Sequence, residues 1–111
     1  MRTFAYASLL AVAGLLCPLA SEANEYLGAT VSEVSGYTNF HPCVLFLLTG
    51  VTQADPVVPN NGWFAISASA AGAQSAFATL LAAKLSGTAV HVLTDGTTSC
   101  GFATASWVSS N

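Results

Sequence analysis

The chain has 111 residues, 53% of them hydrophobic and 6% charged, with two Lys or Arg against five Asp or Glu and a formal net charge of −3. So few cations exclude a surface built to neutralise nucleic-acid phosphates, which needs clustered Lys and Arg, and a polybasic membrane anchor. A chain this short makes one domain with a marginal core, which should want a covalent staple.

The N-terminus reads as a cleavable secretory leader. Arg2 supplies the positive start, Phe4 to Leu16 the apolar stretch, and Ser21-Glu22-Ala23 a small-x-small cleavage site, so residues 1–23 are expected to be removed and Asn24 to begin the mature chain. A membrane span is disfavoured, because Pro18 and Glu22 interrupt a stretch shorter than the ~20 apolar residues a bilayer requires. A lipid-attachment site at Cys17 is also disfavoured, since Leu16 rather than a small residue precedes it. After cleavage Lys84 stands alone against Glu25, Glu33, Asp55 and Asp95. The expected location is periplasmic or secreted, without stable membrane insertion.

The elements follow in chain order. Leu27, Ala29 and Val31 alternate with Gly28, Thr30 and Ser32, which predicts a half-buried first strand over Tyr26 to Val34. The apolar run Val44 to Val51 predicts a second strand. Asn60-Asn61-Gly62 predicts a turn, and Trp63-Phe64-Ala65-Ile66 a third strand. Ala73, Ala76, Phe77, Leu80 and Leu81 then take helical spacing, with Ser67 or Ser69 as the expected N-cap and Gly87 as the stop. Thr88 to Thr94 predicts a fourth strand ending at an Asp95-Gly96 turn, and Phe102 to Val108 a fifth carrying Trp107.

The expected fold is mainly β with one helix, in the order β-β-β-α-β-β, as one domain over 24–111. Five strands with a helix between the third and fourth is the order of the OB-fold, a small barrel; an open sheet with a helix on one face shares it. Cys43 and Cys100 are the two cysteines beyond the leader, and an oxidising compartment favours their pairing over a free thiolate. An OB-fold would bring the loop before Cys43 and the loop holding Cys100 together, as a disulfide requires.

Trp63-Phe64-Ala65-Ile66, Leu80-Leu81-Ala82-Ala83-Lys84 with Gly87, Val90-x-Val92 and Cys100-Gly101-Phe102 together resemble small exported bacterial proteins related to the B subunits of AB5 toxins, particularly the subtilase-cytotoxin type. The resemblance covers about the C-terminal half. It implies an OB-fold protomer, a ring of five and binding of cell-surface glycans, and it places no sugar-contacting residue.

No catalytic signature is visible. His41, Cys43 and His91 could suggest a Cys-His pair or a metal site, but both need the free thiolate that pairing removes. No nucleophile elbow, P-loop, dinucleotide fingerprint or EF-hand loop occurs. The expectation is therefore a non-enzymatic module with no metal and no cofactor. Tyr37, Asn39, Phe40 and His41 precede Cys43, and Thr97 and Thr98 precede Cys100, so a disulfide would join two polar-aromatic loops suited to sugars. Tyr37 and Phe40 could equally plug the barrel end.

Lys84 falls near the middle of the helix's apolar stripe, where it either complements the helix C-terminus and snorkels, or pairs with Glu33 or Asp95. The opposite face, Gln74, Ser75, Ala78, Thr79, Ala82 and Ser86, is small and neutral and would allow a homo-oligomer to pack there. The expected partner is a glycan; the alternative is a protein, bound by an inhibitor, immunity or accessory factor.

Overall fold

The computed structural model of the protein describes residues 24–36 and 42–110. The leader over 1–23 and the site candidates Tyr37, Asn39, Phe40 and His41 lie outside the described residues. The expected element order is present: β1 (Glu25–Ser35), β2 (Cys43–Leu48), β3 (Trp63–Ser67), α1 (Ala73–Ser86), β4 (Ala89–Ser99) and β5 (Phe102–Ser110). The strands close into a barrel in the order β1-β2-β3-β5-β4. β1 serves two neighbours, pairing its first half with β4 and its second with β2. A short parallel seam, Phe64↔Ala103 and Ala65↔Thr104, joins β3 to β5.

Bulges decide which side chains enter the barrel. β1 spends one extra residue between Tyr26 and Ala29 against β4, and another between Val31 and Glu33 against β2. Each extra residue reverses the alternation. Tyr26, Ala29, Val31 and Val34 therefore contribute to the core, whereas Leu27, expected on the inner face, is 61% exposed. Strand β2 also ends earlier than expected: Thr49-Gly50 turns the chain after Leu48, with Gly50 at φ 80°.

The largest correction lies in β4. The expected Asp95-Gly96 hairpin turn is a bulge inside the strand, which runs on to Ser99. The Asp95 carboxylate accepts bonds from the Thr97 N–H at 3.0 Å and the Thr97 hydroxyl at 2.6 Å, so this carboxylate closes a local turn without ending the strand. The chain reverses at Cys100-Gly101, both at positive φ, as a two-residue hairpin turn demands.

The core is centred on Phe46 and Phe64, both fully buried and stacked with centroids 4.9 Å apart, and Tyr26 meets Phe64 edge-on at 5.5 Å. From α1 come Ala73, Leu80 and Ala83, all buried, with Ala76 and Phe77 packed alongside. This stripe turns Leu81 and Lys84 outward. Lys84 is exposed in the last turn, where its charge suits the helix C-terminus, and makes no ion pair with Glu33 or Asp95.

The helix ends as expected, with Gly87 in the left-handed region and its N–H on the Ala83 carbonyl. It does not start as expected. Gly72 occupies the N-cap without a side-chain bond, because Ser67 and Ser69 bond to each other at 2.8 Å in the turn that ends β3.

Gly62 marks a close approach: a Cβ there would sit 2.6 Å from the Val51 carbonyl oxygen. Gly62→Ala should therefore cost about 1–3 kcal/mol by forcing the backbone apart, read as a lower urea midpoint; an unchanged midpoint would mean that the 51–62 segment yields freely.

Candidate functional site

Cys43 and Cys100 are bonded, with Cα atoms 6.5 Å apart across 57 residues of sequence. The bond ties the start of β2 to the β4–β5 turn and removes the thiolate that a Cys-His nucleophile or metal site would need. Beside it lies a cleft of about 550 Å³ bordered by Pro42, Ser67, Ser69 and Ser99. Thr97 and Thr98 belong to β4 instead of a loop, are exposed, and do not border that cleft. His91 contacts the Glu25 carboxylate at 2.9 Å across β1 and β4. Among the described residues no three His, Cys, Asp or Glu side chains gather as a metal site would require, and no helix is long and apolar enough to cross a membrane.

A second concavity is built differently. Between α1 and β5 runs a groove of about 380 Å³, walled by Ser75, Ala76 and Thr79 on the helix and by Thr104, Ala105, Ser106, Trp107 and Val108 on the strand, with Ile66 contributing from β3. Trp107 is 53% exposed. Its indole N–H donates to the Ser109 hydroxyl at 3.2 Å, which orients the ring. A neighbouring hollow, also about 380 Å³, shares Thr79 and adds Ser86, Thr88 and Ser110.

Simple alternation along β5 would put Ala103, Ala105 and Trp107 on the inner face together. Instead the pairing steps from Leu93↔Trp107 to Thr94↔Ala105, leaving Ser106 as an extra residue. The alternation reverses, so Ala103 and Ala105 stay buried, Val108 packs on the core and Trp107 turns out. The Ser106 hydroxyl bonds the Leu93 carbonyl at 3.3 Å. By its local sequence Trp107 is only a strand residue, and the small, polar Ser106 beside it is the sole local hint of the bulge.

The groove's hydroxyls keep acceptor capacity. Thr79 donates to the Ser75 carbonyl at 3.0 Å, which leaves its oxygen lone pairs free to accept; in the neighbouring hollow Ser86 donates to the Ala82 carbonyl at 2.9 Å and its hydroxyl is also paired with that of Thr88 at 2.7 Å. The result is one large aromatic face, an alkyl floor and a rim of neutral hydroxyls, with no charged side chain.

Away from the groove, Tyr26 donates to the Gln53 and Ala54 carbonyls at 2.8 and 3.0 Å. Burial pushes its phenol above the ordinary value of 10.0, the Asn24 side-chain bond works against this, and the Asp55 carboxylate adds to it. The phenol therefore remains a donor at neutral pH, as a structural tie.

Comparison with protein-family models, with curated proteins and with solved structures finds no match. The fold and the groove stand on their own geometry.

Proposed function

We propose that the chain is an exported, non-enzymatic binding module with an OB-fold-type barrel, and that its groove between α1 and β5 takes a saccharide. The observation that carries this reading is the exposed Trp107 indole beside the hydroxyls of Ser75, Thr79, Thr104 and Ser106. A pyranose ring has an apolar C–H face that stacks on an aromatic plane and an equatorial rim of hydroxyls that exchange hydrogen bonds with neutral polar groups. The absence of cations in the groove favours neutral sugars over phosphates, and the two hollows meeting at Thr79 suit more than one sugar unit. The disulfide supports an oxidising compartment, and a saccharide is also the ligand class that the sequence resemblance to AB5 B subunits implies.

The test is a glycan-array screen of the oxidised protein with its mass in solution recorded on the same sample. Trp107→Ala should weaken binding at least ~10-fold while moving stability by less than about 1 kcal/mol, as expected for a half-exposed side chain. Unchanged affinity in that variant would remove the groove from the reading. An oligomeric mass would support packing through the helix, whose Leu81 and Leu85 are 39% and 79% exposed.

The same exposed leucines of α1 favour a second reading: a protein-interaction factor that covers a partner with this helix face. That reading expects a stoichiometric protein complex and no glycan signal.

A further inference from the structure

Asp55 is fully buried, and so nearly is Thr94, at 0% and 3% exposure. One Asp55 oxygen accepts the Val57 N–H at 2.9 Å and the other the Thr94 hydroxyl at 2.5 Å. Both donors are neutral: they satisfy hydrogen-bonding capacity and leave the charge uncompensated. A carboxylate withdrawn from water is costly without a countercharge, and among the described residues the side chains offer none. Lys84 is exposed on α1 and makes no ion pair among the described residues, and His91 is engaged by Glu25. The other titratable groups nearby are the Tyr26 phenol, bonded to backbone carbonyls, and Asp95, turned outward onto Thr97.

One nitrogen points into this network. The Asn24 main-chain nitrogen donates to the Thr94 oxygen at 2.8 Å, and that hydroxyl passes its own hydrogen to Asp55. Asn24 is held there on two further sides, by the Thr94 N–H on its carbonyl at 2.9 Å and by its side-chain amide on the Ala54 carbonyl at 3.2 Å. In an uncut chain that nitrogen is an amide with one hydrogen and no charge. At a chain terminus it is an ammonium with three hydrogens and a full positive charge in the same place.

We propose that Asn24 is the mature N-terminus and that its α-ammonium is the countercharge of buried Asp55, relayed through the Thr94 hydroxyl. The proposal rests on the export reading above and deepens it. Removal of the leader then completes the electrostatics of the fold, so the mature form is more stable than the precursor. The sign follows from linkage: an amine that gains an anionic partner titrates higher in the folded state, so its contribution is full below the ordinary α-amino value of about 7.7–8.0 and is lost as pH rises through the folded value.

The experiment starts from the full chain expressed with its leader in a secreting host. Intact mass and N-terminal sequencing locate the terminus, and NMR follows the α-amine through its titration in the wild type, in Asp55→Asn and in Thr94→Val. The expected result is Asn24 at the terminus, with an amine titrating about one unit or more above the ordinary range in the wild type and returning toward it in both variants. The wild-type titration decides the matter even if a variant fails to fold. An exported chain beginning at Asn24 with an ordinary amine overturns the pairing and leaves export standing. A chain recovered uncut inside the cell overturns both.

Discussion

Replacing Cys43 and Cys100 together by serine is expected to lower stability by about 4 kcal/mol, because the bond closes a long loop and removes that much configurational freedom from the unfolded chain. For a domain whose whole stability is of the order of 5–15 kcal/mol, that is a large share. The position of the bond adds to the expectation. Cys100 is a non-glycine residue at φ 53° in the β4–β5 turn, where a left-handed conformation costs roughly 1–2 kcal/mol, and its link to the start of β2 pins that turn against the neighbouring wall of the barrel. Urea unfolding of the oxidised protein and the double variant at equal pH measures the difference. A shift below about 1 kcal/mol would mean that the unfolded chain is already compact enough to hold these segments close.

Phe64→Ala is the second large effect, expected at about 3–5 kcal/mol. Phe64 is fully buried, stacks on Phe46, receives the edge of Tyr26, and lies opposite Ala103 on the parallel seam that closes the barrel. Truncation leaves a void that the alanine across the seam is too small to fill. Trp107→Ala removes a larger ring at a small expected cost, so the two variants measured side by side separate the packing role of an aromatic residue from its surface role. If Phe64→Ala unfolded at the wild-type denaturant midpoint, the stacked pair could not be the centre of the core.

How far the sequence carried the interpretation depends on whether a feature is local. Four things were legible: the order of five strands and one helix, the stop at Gly87, the third strand at Trp63 to Ile66, and the pairing of Cys43 with Cys100. Each follows from periodicity, a single conformational preference or the presence of just two cysteines beyond residue 23. The candidate site was less legible. Tyr37, Asn39, Phe40 and His41 fall outside the described residues, Thr97 and Thr98 became part of a strand, and the Trp107 groove was missed.

The sequence by itself therefore determined the β-rich class and the single helix, because alternation and helical spacing act over a few neighbours along the chain, and the disulfide, because only two cysteines lie beyond residue 23. Only the tertiary structure decided which way the side chains face. Leu27 and Trp107 turn outward because β1 and β5 each hold one more residue than the strand beside them, at Tyr26/Ala29 and at Ser106. Asp95-Gly96 stays within β4 for a related reason, since the strand takes up its extra length as a bulge and reverses instead where Cys100 is tied to Cys43. A bulge belongs to a pair of strands, so its position is set only when both are laid together around one core.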